Sequence, residues 1–192
     1  MPDYTEDLKK TIPKLQFSAR QLESPKEDDR APTKTKNARR YASELNEANR
    51  IFQDGEIDRS IQLYSDLLES YPEEPLVYYN MAIALMEKEN FPLAIKLFNH
   101  LQKLGFEEPR VWIGIGYCQI KEGRYDEAFA SFSNVGENQE GFVESTIGKV
   151  FALVLESKLA EVDPLLDQLQ QRGVWNQELA LIQKIMKKKN RG

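Results

Sequence analysis

One cysteine and one histidine in 192 residues leave side-chain chemistry little to work with. Cys118 has no partner for a disulfide within the chain, and His100 alone cannot assemble a zinc-type cluster. Cys118 lies two residues past Gly116 in a packed-looking helix, with no histidine close in sequence to activate it, and reads as a buried, inert thiol. His100 falls outside the apolar columns described below and reads as a solvated surface side chain. Long apolar runs are also missing, so no segment is long enough to span a bilayer, and the opening MPDYTEDLKK has no apolar signal core. Neither sign of charge dominates: 26 basic against 31 acidic residues give a net −5, which does not favour a nucleic-acid partner. The basic end KIMKKKNRG is accounted for by compensation of a helix macrodipole. These absences predict a cytoplasmic protein with no catalysis, cofactor, metal, small-molecule substrate or membrane insertion.

Two zones differ in composition. Ser24 to Lys36 (SPKEDDRAPTKTK) is charged, carries two prolines and has no large apolar residue, so it cannot bury enough surface to offset the entropy of ordering. Ahead of it, Leu8, Ile12, Leu15, Ala19 and Leu22 recur at spacings of four and three, an apolar stripe if that segment is helical, in which case Pro13 must begin a helix or break one. Residues 1–36 therefore read as a flexible N-terminal arm and linker, with self-association into a homo-oligomer as one use for the stripe. Residues 37–192 read as the folded domain.

From Tyr41 onward the chain matches itself at a shift of 34 residues. Ala48, Ala82 and Gly116 coincide, as do Ser60, Ala94 and Ala128, and both columns are small. Tyr64, Phe98 and Phe132 form a large aromatic column, and Leu67, Leu101 and Val135 another apolar one. Columns that keep size as well as polarity are the mark of a stacked structural repeat. Within each unit the apolar positions follow helical spacing in two runs divided by a turn, with Gly55 and Gly123 where the first run ends and Glu89 in the matching place. Each unit is thus a helical hairpin, over 41–74, 75–108 and 109–142. A degraded fourth unit covers 143–172, in which Gly148 falls two residues early for the small position and Asp163–Pro164 reads as a helix start. A capping helix over 174–189 follows, with Trp175, Leu179, Ile182, Ile185 and Met186 expected on its inner side.

Gly114-Ile-Gly116 invites a phosphate-loop reading, but it lacks the third glycine of a dinucleotide fingerprint and no strand–turn–helix surrounds it. What this stretch does resemble is the tetratricopeptide repeat family, through Trp112, Ile115-Gly116, Gly123-Arg-Tyr125, Ala128 and Phe132. The first two units carry the same pattern in Ala48, Gly55, Ser60, Tyr64 and Pro72, and in Tyr78, Met81-Ala82, Phe91, Ala94 and Phe98. The resemblance implies an all-α, right-handed solenoid of hairpins that binds an extended segment of a protein partner in a concave groove lined by first helices. Carried over by repeat position, it assigns that groove Leu45, Asn49 and Phe52 (with Gln53) from the first unit and Tyr79, Asn80, Ile83 and Met86 from the second. The third unit offers Arg110, Ile113, Tyr117 and Ile120.

One branch of the family clamps a C-terminal carboxylate with two asparagines and three cations. Asn49, Asn80 and Arg110 match three of those places, but Leu45 and Gly114 stand at the other two. With one cation the charge-assisted pairing fails, so chaperone-tail capture is not expected, while the asparagines remain able to bond a peptide backbone. The run WIGIGYCQIKEGRYDEAFASF is also similar to one repeat of the type III secretion chaperones that hold translocator cargo. The expectation is therefore a peptide-binding adaptor or chaperone, with a secretion chaperone and a self-assembling scaffold as alternatives.

Overall fold

The computed structural model of the chain describes residues 36–175 and 177–189; the arm and linker expected over 1–36 lie outside them except for Lys36. The described secondary structure is entirely helical. It falls into two compact units, 36–107 and 108–189, dividing where the second repeat meets the third.

The first unit holds α1 (Lys36–Gln53), α2 (Ile57–Ser70), α3 (Pro75–Glu87) and α4 (Phe91–Lys103). Three-residue turns join α1 to α2 and α3 to α4 as hairpins; α2 also packs on α3, and α1 reaches α3. Helix α1 begins at Lys36, ahead of the repeat boundary at Tyr41. Pro75 opens α3, where its fixed φ suits a first turn that needs no N–H donor. The chain leaves α1 through Gly55 at φ +84°, with its N–H on the Phe52 carbonyl and that of Glu56 on the Ile51 carbonyl. The next hairpin repeats both bonds, Glu89 to Met86 and Asn90 to Leu85, with Glu89 held at φ +58°. A side chain in that region costs about 1–2 kcal/mol, so stacking of the hairpins, rather than local preference, sets this turn. Leu45, Ala48, Tyr64, Leu67, Val77 and Ala84 form the core, and the small columns Ala48/Ala82 and Ser60/Ala94 are fully buried between helices. Outside, Lys88 of the second turn pairs with Asp58 at the start of α2.

The second unit holds α5 (Pro109–Lys121), α6 (Tyr125–Ser133), α7 (Phe142–Leu155), a single 3-10 turn (Leu159–Glu161), α8 (Asp163–Gln171) and α9 (Gln177–Lys189). Here α5 packs on α6 and α7, α6 on α7, α7 on α8, and α8 on α9. The ring of Phe132 on α6 is gripped between two glycines. A Cβ on Gly116 of α5 would stand 2.8 Å from two of its carbons, and one on Gly148 of α7 would stand 2.5 Å away. Gly148 is therefore the small residue of the fourth unit, not a misplaced one. The connection from Asn134 to Gly141 starts α7 early enough to bring Gly148 onto the ring. Ser157, at φ +64°, takes the place of the turn glycine, and Lys158 pairs with Asp126 as Lys88 does with Asp58. Helix α8 starts at Asp163–Pro164 as its sequence predicts. Of the expected inner side of the cap, Leu179, Ile182 and Met186 are buried, but Trp175 precedes α9 and is 39% exposed. The side chain of Ile185 lies outside those described. None of the described helices is long and apolar enough to cross a membrane.

Candidate functional site

In the first unit the seven residues assigned to a binding face come from α1 and α3, and most of them are shut away. Leu45 is buried in the core with Ala48, Tyr64 and Leu67, so it packs the hairpin instead of facing a ligand. Asn49 is buried, and its Oδ1 accepts two hydrogen bonds of 2.8 Å, one from the Tyr64 hydroxyl on α2 and one from Asn80 Nδ2 on α3. The amide oxygen reserved by resemblance for a peptide thus joins three helices. Tyr79, fully buried, meets Phe98 of α4 edge-on, with ring centroids 5.9 Å apart. Ile83 and Met86, one and two turns further along α3, are exposed by 0 and 7%. Phe52 keeps partial exposure at the end of α1. Ala82 to Met86 are five successive buried residues. A turn is about 3.6 residues, so this part of α3 is covered on every side.

In the second unit the four assigned residues follow one stripe of α5. Ile113 and Ile120 are buried, Ile113 so tightly that a Cβ on Gly141 would come within 2.5 Å of its Cδ1. Gly141 sits at φ +84°, and the two facts together make it the one residue type that fits there. Arg110 and Tyr117 remain half-buried. The guanidinium of Arg110 pairs with Glu140, and Lys121 Nζ stands 5.3 Å from the centre of the Tyr117 ring, a cation–π distance. The stripe thus exposes a cation and, two turns on, an aromatic ring, while its isoleucines pack inside.

The residues weighed for chemistry lie elsewhere. Cys118 is buried in α5, and loss of hydration, helped by the nearby Glu122 carboxylate, pushes its thiol up to about 12. A thiol of that kind stays protonated and unreactive at neutral pH. His100 is not freely solvated as expected: it is half-buried, with its ring 4.6 Å from that of Tyr78. Among the described residues no three His, Cys, Asp or Glu side chains are placed to hold a metal ion.

Sequence reasoning missed the Tyr64–Asn49–Asn80 network. The signal was there: Tyr64 shares its column with Phe98 and Phe132, and a hydroxyl in an otherwise apolar column needs a partner inside the protein.

Comparison with known proteins follows the same units. The family model for the tetratricopeptide repeat matches residues 45–105 and again 79–135. No curated protein matches the chain in sequence. Among solved structures, YrrB, described as a TPR protein with an unusual peptide-binding site, is similar at a TM-score of 0.59 and 20% identity. That match spans 67% of this chain and 66% of YrrB, just under two thirds of its length. MamA AMB-1 aligns at a TM-score of 0.59 and 19% identity over 73% of this chain and 78% of its own. For MamA MSR-1 the values are 0.58 and 17%, over 72% and 82%. At these identities the structures speak for the fold, and the repeat match speaks for the sequence. The repeat match over residues 45–135 and the fold shared with these structures together support a tetratricopeptide repeat protein, a fold that serves protein interaction.

Proposed function

We propose that the chain captures an extended peptide segment of a protein partner on the first-helix face of its repeats, as an adaptor or chaperone. The observation that carries this reading is the stripe on α5: Arg110 and Tyr117 stay partly exposed, with buried Ile113 between them and buried Ile120 one turn beyond. Ile113 and Ile120 belong to the core of the 108–189 unit, so the part of the stripe open to a partner is Arg110 and Tyr117. A half-exposed tyrosine beside a paired arginine suits a peptide that lays an apolar side chain on the ring and a carbonyl or carboxylate on the guanidinium. The peptide-binding site that YrrB is described as having lends the reading support from a similar fold.

Burying one or two anchors at about 1.5–3 kcal/mol each, less the ordering of the peptide, points to affinity in the micromolar range. Peptides selected from a display library against the full chain provide the probe. Tyr117→Ala should weaken their binding by roughly 10- to 30-fold, the effect of losing an aromatic anchor, with an unchanged far-UV spectrum and melting curve. Leu93→Ala, on exposed surface of α4, is the control and should leave binding intact. If Tyr117→Ala folds normally and binds the selected peptides as well as the parent does, the α5 face is not the capture site.

A further inference from the structure

Phe142, the first residue of α7, carries two cations. Its ring is 5% exposed; Lys149 Nζ stands 5.5 Å from the ring centre, and the guanidinium carbon of Arg172, just past α8, stands 4.5 Å from it. Both are cation–π distances. Together they keep the two charges within about 10 Å of each other, roughly one Debye length at 0.1 M salt, so an anion near either feels both. Arg172 is tied down, its Nη2 donating to the Glu137 carbonyl at 3.3 Å and lying 4.0 Å from the carboxylate of the same residue. Lys149 is half-buried, yet it enters none of the ion pairs formed among the described residues. Loss of hydration holds its ammonium below the usual lysine pKa, against the opposing pull of Glu137. A cation stripped of water in this way gains more from an added anion than a hydrated surface lysine does. Two cations that share Glu137 have capacity left for a second carboxylate.

The register of the hairpins places Lys149 beside the α5 stripe. Gly116 of α5 and Gly148 of α7 meet the same Phe132 ring, and Tyr117 and Lys149 are the residues that follow them. Tyr117 and Lys149 therefore hold one position in successive first helices, and those helices pack together. Gly141, next to Phe142, lies against Ile113, and Glu140 pairs with Arg110. We propose that Lys149, supported by Arg172, binds an acidic side chain of the captured segment, an aspartate or glutamate beyond the residue that Tyr117 receives. At the end of α8 Arg172 also suits the helix dipole, but the dipole of α8 gives no reason for Lys149 of α7 to share its ring.

The anion site is independent of the capture reading; the assignment of its occupant to the captured segment rests on that reading. The first measurement uses the full chain with carbon-13 at the lysine ε-carbons, titrated by NMR with a blocked tetraglutamate peptide. The Lys149 signal, identified by its loss in Lys149→Met, should shift saturably and at least about threefold more than that of exposed Lys103, and high salt should suppress the shift. Equal shifts at the two lysines, or none, overturn the anion site. The second measurement uses the display-selected peptides. These should carry Asp or Glu, and its replacement by Asn or Gln should weaken binding roughly 5- to 10-fold, between the effect of an exposed ion pair and that of a charge-assisted hydrogen bond. Lys149→Met, which keeps an apolar stem on the ring, should weaken the acidic peptide by the same factor and leave the neutralised one unchanged. Lys149→Arg keeps the charge and should retain most of the binding. Parent-like binding of the acidic peptide by folded Lys149→Met overturns the assignment. The two readings fail separately. A Lys149 response to tetraglutamate without any peptide capture keeps the anion site and removes the capture reading together with the occupant. Capture that depends on Tyr117 but is indifferent to Lys149→Met keeps the capture reading and removes this one.

Discussion

Replacing Gly148 with alanine sets two effects of known size against each other at one atom. In an isolated helix the change would stabilise, since alanine exceeds glycine in helix propensity by about 0.8–1 kcal/mol. In α7 the new Cβ would stand 2.5, 2.6 and 2.7 Å from three carbons of the Phe132 ring, where carbon atoms in contact prefer about 3.5–4 Å. The ring cannot retreat toward α5, because the Cβ position on Gly116 is already within 2.8–3.0 Å of it. With Phe132 only 2% exposed, there is no solvent side to rotate into. Forcing an extra methyl into such a contact costs about 1–3 kcal/mol, so after the propensity gain the net expectation is a loss of up to about 2 kcal/mol. Both tryptophans, Trp112 and Trp175, lie in the 108–189 unit, so their fluorescence in a urea titration reads the unit that contains the contact. A double-mutant cycle sharpens the test: Phe132→Leu should relieve the clash, leaving the pair short of additivity by at least about 1 kcal/mol. A Gly148→Ala variant more stable than the parent, or a cycle that closes to zero, would refute the argument that ring contact selects glycine here.

Glu89→Gly and Ser157→Gly should each stabilise by about 0.5–1 kcal/mol in urea melts, because both residues hold positive φ at turns where Gly55 and Gly123 stand in the other hairpins. Asn49→Ala removes the acceptor shared by the Tyr64 hydroxyl and Asn80 Nδ2, and buried donors left unmet should cost about 2–4 kcal/mol of stability. Cys118 gives a pH signature. Its thiol is raised from 9.0 to about 12 by burial, so the folded state keeps a proton that the unfolded state releases. That contribution is complete below pH 9, falls as pH rises through 9 and is lost by about 12. The stability gap between the parent and Cys118→Ala should narrow over that range, as measured by urea midpoints at each pH.

Much of the fold could be read directly from the residues, because a stacked repeat writes its packing into columns. The small columns at Ala48/Ala82 and Ser60/Ala94, the aromatic column at Tyr64/Phe98/Phe132 and the turn positions all carry the roles that their period implies. Where the period drifts, reading stopped. Gly148 looked misplaced because the shift of 34 was carried through the connection at 134–141, whose length sequence similarity cannot fix. Trp175 was given an inner place by its apolar character, yet it precedes α9 and stays outside. Helical phase orders the side chains within an element; it does not say where the element begins.

The candidate site shows the deeper gap between period and exposure. Repeat position assigned eleven residues to a face, and that assignment concerns direction around a helix axis. Whether a direction opens to water depends on everything else packed against the helix, which no single column records. Asn49 and Asn80 illustrate the difference: as positions they suit a peptide backbone, but as side chains they hydrogen-bond one another and Tyr64 in the interior. Ile83 and Met86 carry the same lesson for apolar residues, since their stripe is covered as completely as the core. Arg110 and Tyr117, by contrast, keep the accessibility that binding needs. A family position becomes a binding residue when its side chain has contact capacity left over after folding. By that measure the buried residues of α1 and α3 serve the fold, and the proposed capture on α5 rests on the exposure that Arg110 and Tyr117 retain.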